Sequence, residues 1–412
     1  MTINLTPDPA LDDSPTMTRT ELRASGSLAS IFALRMLGLF LVLPVFALEA
    51  RKYPGGDDPV LIGLAMGIYG LTQGILQIPF GVASDRLGRK RVIVFGLLIF
   101  ALGSLVAGSA DTLIGVLAGR ALQGAGAVSA AVTALLADLT RDVVRTKAMA
   151  LVGASIGLMF AVSLVVSPVI AAHIGLSGLF VLTAALALLG AVVVIWGVPP
   201  EPVAHKDAAR GGLRKVLSNP ALLRLNIGVF VLHAVQLAMW VAIPAFLVQA
   251  GLTKNDHWQI YLPAVLGSFV LMGAVFSLER RGYLRAVFLS AIALIALVQM
   301  ALLWVSSGSP SLMCLAWLLF AFFCGFNVLE ATQPSLVSRL APASSRGAAM
   351  GVYNTLQSLG FFAGGVMGGQ LVKSYGTQGL FLTCAALMIL WLVVAWPMVA
   401  PTRVNIPQRP HN

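Results

Sequence analysis

Apolar runs of about 20 residues, the length needed to cross roughly 30 Å of hydrocarbon as a helix, recur along nearly the whole chain between short polar breaks. Strands of a barrel would alternate polar and apolar positions, and these runs do not. The pattern predicts twelve spans, at 28–48, 60–82, 91–110, 112–138, 146–171, 178–197, 222–248, 258–278, 286–306, 311–338, 346–372 and 378–398. Residues 1–27 are polar, with scattered Pro, Asp and Thr and without the ordered regions of a signal peptide, and read as a tail. Residues 198–221, Pro-rich and then basic, read as a linker, and 399–412 as a second tail. The expected fold is an all-α membrane protein of twelve transmembrane helices in two pseudo-symmetric six-helix bundles, 28–197 and 222–398.

The pseudo-symmetry rests on internal matches. Leu43-Pro44-Val45-Phe46 aligns with Ile243-Pro244-Ala245-Phe246 at an offset of 200, and Arg145-Thr146-Lys147-Ala148-Met149 with Arg346-Gly347-Ala348-Ala349-Met350 at 201. Asp85-Arg86-Leu87-Gly88 matches Glu279-Arg280-Arg281-Gly282 at 194. Weak matches at nearly one offset, in corresponding loops and spans, point to a duplicated unit whose two copies rock about a central site.

Composition agrees with a lipid environment: 58% of residues are hydrophobic, 10% are charged, and the mean hydropathy is +0.90. A net charge of +11 would suit nucleic acid, but its placement argues otherwise. Of 27 Lys and Arg, 21 fall on the side holding both termini, while Arg51, Lys52, Lys254 and Lys373 lie opposite and Arg35 and Arg120 lie within spans. By the positive-inside rule both termini are cytoplasmic, and the basicity encodes topology in the inner (plasma) membrane, not a nucleic-acid partner. Cys314, Cys324 and Cys384 all sit in apolar runs and read as packing residues, neither a disulfide framework nor a metal set.

Between spans 2 and 3 lies Gly81-Val82-Ala83-Ser84-Asp85-Arg86-Leu87-Gly88-Arg89-Lys90-Arg91. This string resembles motif A of the major facilitator superfamily with every position filled. Arg120-Ala121-Leu122-Gln123-Gly124-Ala125-Gly126-Ala127 resembles motif B, and span 5, ending in Pro168, resembles the antiporter motif C, with Ser163 and Ser167 at two of its usual Gly positions. Ser30 to Gly38, Ile68 to Gln73, Asp138 to Arg141 and Phe326 to Glu330 make the likeness closest to the YajR-like group of drug:proton antiporters. That group carries a soluble C-terminal domain, whereas this sequence ends at residue 412, soon after span 12.

The resemblance implies that Gly81, Asp85, Arg86, Gly88, Arg89, Lys90 and Asp138 form a conformational latch. Asp85 is then expected to face the start of span 11, near Arg346 to Met350, where the positive end of the helix dipole attracts a carboxylate. Arg120 would take part in proton coupling; the alternative is a packing Arg bonded to backbone carbonyls. Arg35 is similar, nearer the cytoplasmic end. Glu330 is the one carboxylate deep in a C-terminal-half span, able to load and release a proton or to rest as a neutral acid bonded to Asn327 or Gln333. His233 is a second titratable candidate or a structural donor. Glu49 is expected in a surface ion pair with Arg51.

Tyr69, Gln73, Gln77, Gln236, Trp240, Asn327, Asn354 and Gln357 are polar or amphipathic residues on apolar spans. Tyr69, Gln73 and Gln77 share one helix face. Each is explained singly by an interhelical hydrogen bond, and together they fit a mixed pocket for a lipophilic solute. Small-residue stripes that include Gly153, Gly157, Gly360, Gly364, Gly365, Gly368 and Gly369 predict close helix packing on spans 5 and 11.

These features point to proton-coupled secondary transport of a small molecule, with export of lipophilic organic compounds foremost. The alternatives are transport of a sugar or other metabolite, or a non-transporting membrane sensor. No phosphate-cradling loop, catalytic constellation or metal-ligand spacing stands out. The expected partners are a small-molecule substrate, protons and the bilayer. The expected state is a monomer without a cofactor, driven by the proton gradient.

Overall fold

The computed structural model describes residues 16–201, 216–308, 311–342 and 345–398. The tail before residue 16, most of the linker (202–215) and the tail 399–412 lie outside the described residues. Among the described residues the chain is helical and contains no strand. The helices are α1 (Arg19–Glu49), α2 (Pro59–Leu87), α3 (Arg89–Gly108), α4 (Leu113–Ala125), α5 (Ser129–Asp138) and α6 (Asp142–Val192). The C-terminal half adds α7 (Pro220–Gln249), α8 (Trp258–Leu278), α9 (Leu284–Val305), α10 (Leu312–Leu340) and α11 (Arg346–Ala395).

Among the described residues, ten helical stretches are long and apolar enough to cross a membrane. Two of the helices, α6 with 51 residues and α11 with 50, would each be about 75 Å long if straight, more than twice the hydrocarbon thickness. Neither is straight. Ser155 and Ser167 of α6 donate to the Ala29 and Leu41 carbonyls of α1, so this stretch runs parallel to α1. Thr183 then returns to the Gly38 carbonyl at 2.9 Å, and Gly197 lies against Ser27. The chain has therefore reversed in between, at Gly175, whose φ of 65° and ψ of −171° no other residue type adopts readily.

The second long helix repeats the device. Gly360, Gly364 and Gly368 face Phe230, Ala234 and Ala238, ascending α7. Phe381 then meets Phe246 and Trp391 meets Gly228, descending it. The reversal falls at Gly376, with φ of 66° and ψ of −170°. The sequence spans divide at these same places, after 171 and after 372.

Two expectations change. The first helix begins at Arg19, nine residues before 28, because Thr18 and Glu21 form a reciprocal capping box and Glu21 also holds Arg141 at 2.9 Å. The span expected at 112–138 is broken between α4 and α5, at Gly126–Val128, where Gly126 approaches the Gly96 carbonyl of α3.

The loops gather at two ends. At the far end Tyr53 meets Ser177, the Leu113 amide donates to the Pro54 carbonyl, Gln378 donates to Ser307, and Glu49 and Asp58 meet Lys254 and Lys373. At the opposite, motif end, Arg23 donates to the Trp196 and Gly197 carbonyls, and Arg285 donates to that of Trp396.

Candidate functional site

At the motif end α2 stops at Gly88, whose φ of 97° turns the chain into α3 within one residue. Asp85 pairs with Arg89 one turn on, and Arg89 also reaches Asp138 of α5 at 3.1 Å and Ser84 at 2.8 Å. Arg86 is exposed, and Gly81 faces Ala130, with room for a methyl group between them. Sequence reasoning missed Glu201. Its carboxylate accepts from the backbone amides of Arg89 at 2.7 Å and Lys90 at 3.1 Å, capping the otherwise uncapped start of α3 with negative charge at the positive pole of the helix. The Lys90 ammonium donates to the Val198 carbonyl at 2.6 Å, so the start of the linker is tied to the motif. An acid placed directly after Pro199-Pro200 was the available signal.

Deeper in the N-terminal half, two guanidiniums flank one phenol. Arg35 donates to the Tyr69 hydroxyl at 2.6 Å, to Ser129 at 3.1 Å and to Gln73 at 3.4 Å, with its guanidinium over Phe100. Arg120 donates to the Ala65 and Met66 carbonyls at 3.1 and 3.0 Å and to Gln123 at 3.4 Å, over the rings of Tyr69 and Phe46. Both are buried, and no carboxylate among the described residues meets either. A guanidinium cannot shed its charge, so carbonyl dipoles, hydroxyls and ring faces must offset the desolvation cost of a few kcal/mol. Tyr69 and Gln73 thus belong to the arginine cluster. Gln77 shares their buried face, but its amide has no protein partner.

The C-terminal half holds a different arrangement. Glu330 of α10 lies 3.2 Å from the His233 Nε2 of α7, and Gln357 of α11 donates to Glu330 Oε1 at 3.2 Å while standing 2.8 Å from the same imidazole nitrogen. His233 Nδ1 is 2.8 Å from the Val229 carbonyl, one turn back, which assigns the Nδ1 proton. The imidazole is almost fully buried, with the rings of Phe326 and Phe361 against it, whereas the Glu330 side chain is 32% exposed. Three helices thus converge on one acid. The partners anticipated for it go elsewhere: Asn327 donates to Ser268 at 2.8 Å, and the Gln333 amide has no protein partner.

Of the other predicted pocket residues, Gln236 and Trp240 are buried on α7, and Asn354 accepts from Ser358 through its backbone carbonyl. Two small cavities, of about 10 and 30 Å³, are lined by other residues. Glu49 is corrected. It is buried and is held by Lys52 at 2.6 Å and by Lys254, from the other half of the chain, at 2.7 Å, with no contact to Arg51. A carboxylate this enclosed takes whichever ammonium the fold delivers, and the α7–α8 loop delivers Lys254.

The glycine stripes also separate. Gly365 and Gly369 meet the backbone of Gly63 and Pro59, and Gly360, Gly364 and Gly368 meet α7, but Gly153 and Gly157 face open space that a side chain could enter.

The model of the Major Facilitator Superfamily matches residues 28–364 and 278–411. The inner membrane transport protein YajR of Escherichia coli K12 is 42% identical over 95% of this chain and 87% of its own length. The multidrug resistance protein MdtH of Aeromonas hydrophila is 26% identical over 84% of this chain and 86% of its own length. Among solved structures, the inward-facing, occupied bacterial homologue of the human lysosomal transporter Spinster superposes with a TM-score of 0.68 at 15% identity, covering 92% of this chain and 96% of that one. With its apolar helices, its motif-end turn and this breadth of similarity, the chain is a multi-pass membrane protein that belongs to the major facilitator superfamily.

Proposed function

We propose that the chain is a secondary active transporter that exports small lipophilic organic compounds in exchange for protons by alternating access. The observation that carries this reading is the Glu330–His233–Gln357 cluster. With Nδ1 committed to Val229, a proton taken up by the pair would sit on Nε2 or on the Glu330 carboxyl 3.2 Å away, giving carboxylate and imidazolium or neutral acid and neutral imidazole. Either way the pair is neutral. Removing that proton leaves one negative charge and adding a second leaves one positive charge, both costly in a low-dielectric interior. A substrate or a conformational change that alters the exposure of Glu330 therefore alters proton occupancy, which is the coupling that gradient-driven transport needs.

In this reading each long helix that reverses at Gly175 or Gly376 makes two crossings, giving twelve, with the motif end and both termini cytoplasmic. The structure then corresponds to a state closed at the periplasmic end. Supporting that state, Glu49–Lys254 and Asp58–Lys373 join the two halves of the chain at the far end, where Gly63 also meets Gly365. Toward the motif end, Gly153 and Gly157 of α6 and Gly347 and Gly351 of α11 face open space. In the opposite state the motif end closes and Asp85 exchanges Arg89 for the start of α11, completing the latch with Gly81, Arg86, Gly88, Lys90 and Asp138.

The name of the MdtH relative supports lipophilic toxic compounds as the first class to screen. Expression in a strain stripped of exporters, with growth scored against a panel of toxic compounds and metabolites, tests the function. Raised tolerance that a protonophore abolishes and that Glu330→Gln loses is expected. Tolerance that survives both treatments rules out proton-coupled export through Glu330, and a response confined to metabolites moves the substrate class.

A further inference from the structure

We infer that a file of buried polar groups on α7 and α8 conducts protons from the junction of the two halves at the far end of the bundle to the His233–Glu330 pair. The inference rests on the proton-coupling role proposed for that pair.

Polar atoms buried in a helical membrane protein are satisfied by protein or by ordered water, because each one left unmet costs free energy. Four buried polar atoms without a protein partner sit on neighbouring side chains of α8, its start and α7: His257 Nε2, Tyr261 OH, Trp240 Nε1 and Gln236 Oε1. All four residues are at most 2% exposed. Their order follows from geometry. His257 and Tyr261 stand one turn apart at the start of α8, with ring centroids 5.9 Å apart, and Tyr261 meets Trp240 of α7 at 5.4 Å. Trp240, Gln236 and His233 then recur at helical spacing along one face of α7. The course ends on the imidazole that faces Glu330.

The outer mouth sets four polar residues among apolar walls that include Val45, Leu48 and Pro168. His257 lines a cavity of about 10 Å³ with Glu49, Lys254 and Asn255, near the size that holds one water. The charged groups at this mouth are Glu49, Lys52 and Lys254, with Asp256 beside His257 and bonded to Thr253 and Gln259. The inner terminus is open on the other side, since Glu330 is 32% exposed.

The transfer is a relay in which each water, hydroxyl or imidazole accepts one proton and passes one on, so that hydronium at the far end becomes water and the proton ends on Glu330 or His233. Trp240 is the exception. An indole N–H donates but does not accept, so it orients water between Tyr261 and Gln236 without relaying. That makes the Trp240 level the resistive point and guards against a standing leak.

Infrared spectroscopy of proteoliposomes of uniform orientation tests the file with protons alone as the probe. The carboxyl band of Glu330 is assigned by its loss in Glu330→Gln, and its appearance is timed after an acid jump applied from either side. Tyr261→Phe, which keeps the ring packing, and His257→Leu are expected to slow protonation from the far end by about tenfold or more while leaving the rate from the motif end unchanged. Equal far-end rates in wild type and both variants overturn the file, and so does equal slowing from both ends, which marks a structural effect. Absence of any Glu330 band change in the wild type removes the coupling role itself and the file with it.

Discussion

The two halves of the chain bury charge in opposite ways. In the N-terminal half Arg35, through its two terminal nitrogens, and Arg120 donate to fixed acceptors, hydroxyl, amide and backbone carbonyl, and lean on the same Tyr69 ring. A guanidinium is the side chain least suited to exchanging a proton. In the C-terminal half Glu330 and His233 stand 3.2 Å apart, and both are side chains of types that can gain or lose a proton. In the proposed function the difference separates scaffold from machine. A permanent charge in a membrane interior has to be immobilised, whereas a removable one can be left half-exposed and used.

This contrast predicts where substitutions cost stability and where they cost coupling. The largest effect on stability is expected from Arg120→Ala, which strands the cluster around Tyr69 and removes charge-assisted bonds to two carbonyls. A loss of about 2–4 kcal/mol, read as a lowered melting temperature of the purified protein, is the expected size, with little restored by Arg120→Lys because an ammonium lacks the planar fork. An unchanged melting temperature would place Arg120 among the working groups instead.

A smaller effect is expected for Glu330→Gln and His233→Gln, each within about 1 kcal/mol, because the remaining partner can gain or lose a proton and become neutral. Their double-mutant cycle in melting temperature should show coupling, since the groups touch. Strict additivity would mean that the 3.2 Å approach does not stabilise the fold.

Much of the architecture was legible along the chain because hydrophobic periodicity and turn chemistry are local. The reversals at Gly175 and Gly376 fall in short gaps between apolar runs, and Gly88 announces the turn between α2 and α3. The buried face shared by Tyr69, Gln73 and Gln77 follows from helical spacing alone. Partner choice was not legible. Glu49 lies beside Arg51 in sequence, yet the fold hands it Lys254, 205 residues away. Glu201 caps a helix that begins 112 residues earlier. His233 and Glu330 were each visible as a solitary titratable residue, and only the crossing of α7 and α10 makes them a pair. The start of α1 at Arg19 was hidden for a related reason, since its stability comes from Arg141 as well as from its own capping box.

The most direct test of coupling through the acid–imidazole pair is the proton released on substrate binding. A compound whose tolerance the protein confers is added to the purified protein in weakly buffered detergent, and the pH of the solution is followed. Release of protons by the wild type, and none by Glu330→Gln with the compound still bound, is the expected result. Equal release by both proteins would place the coupled proton elsewhere and leave the Glu330–His233 pair a structural contact.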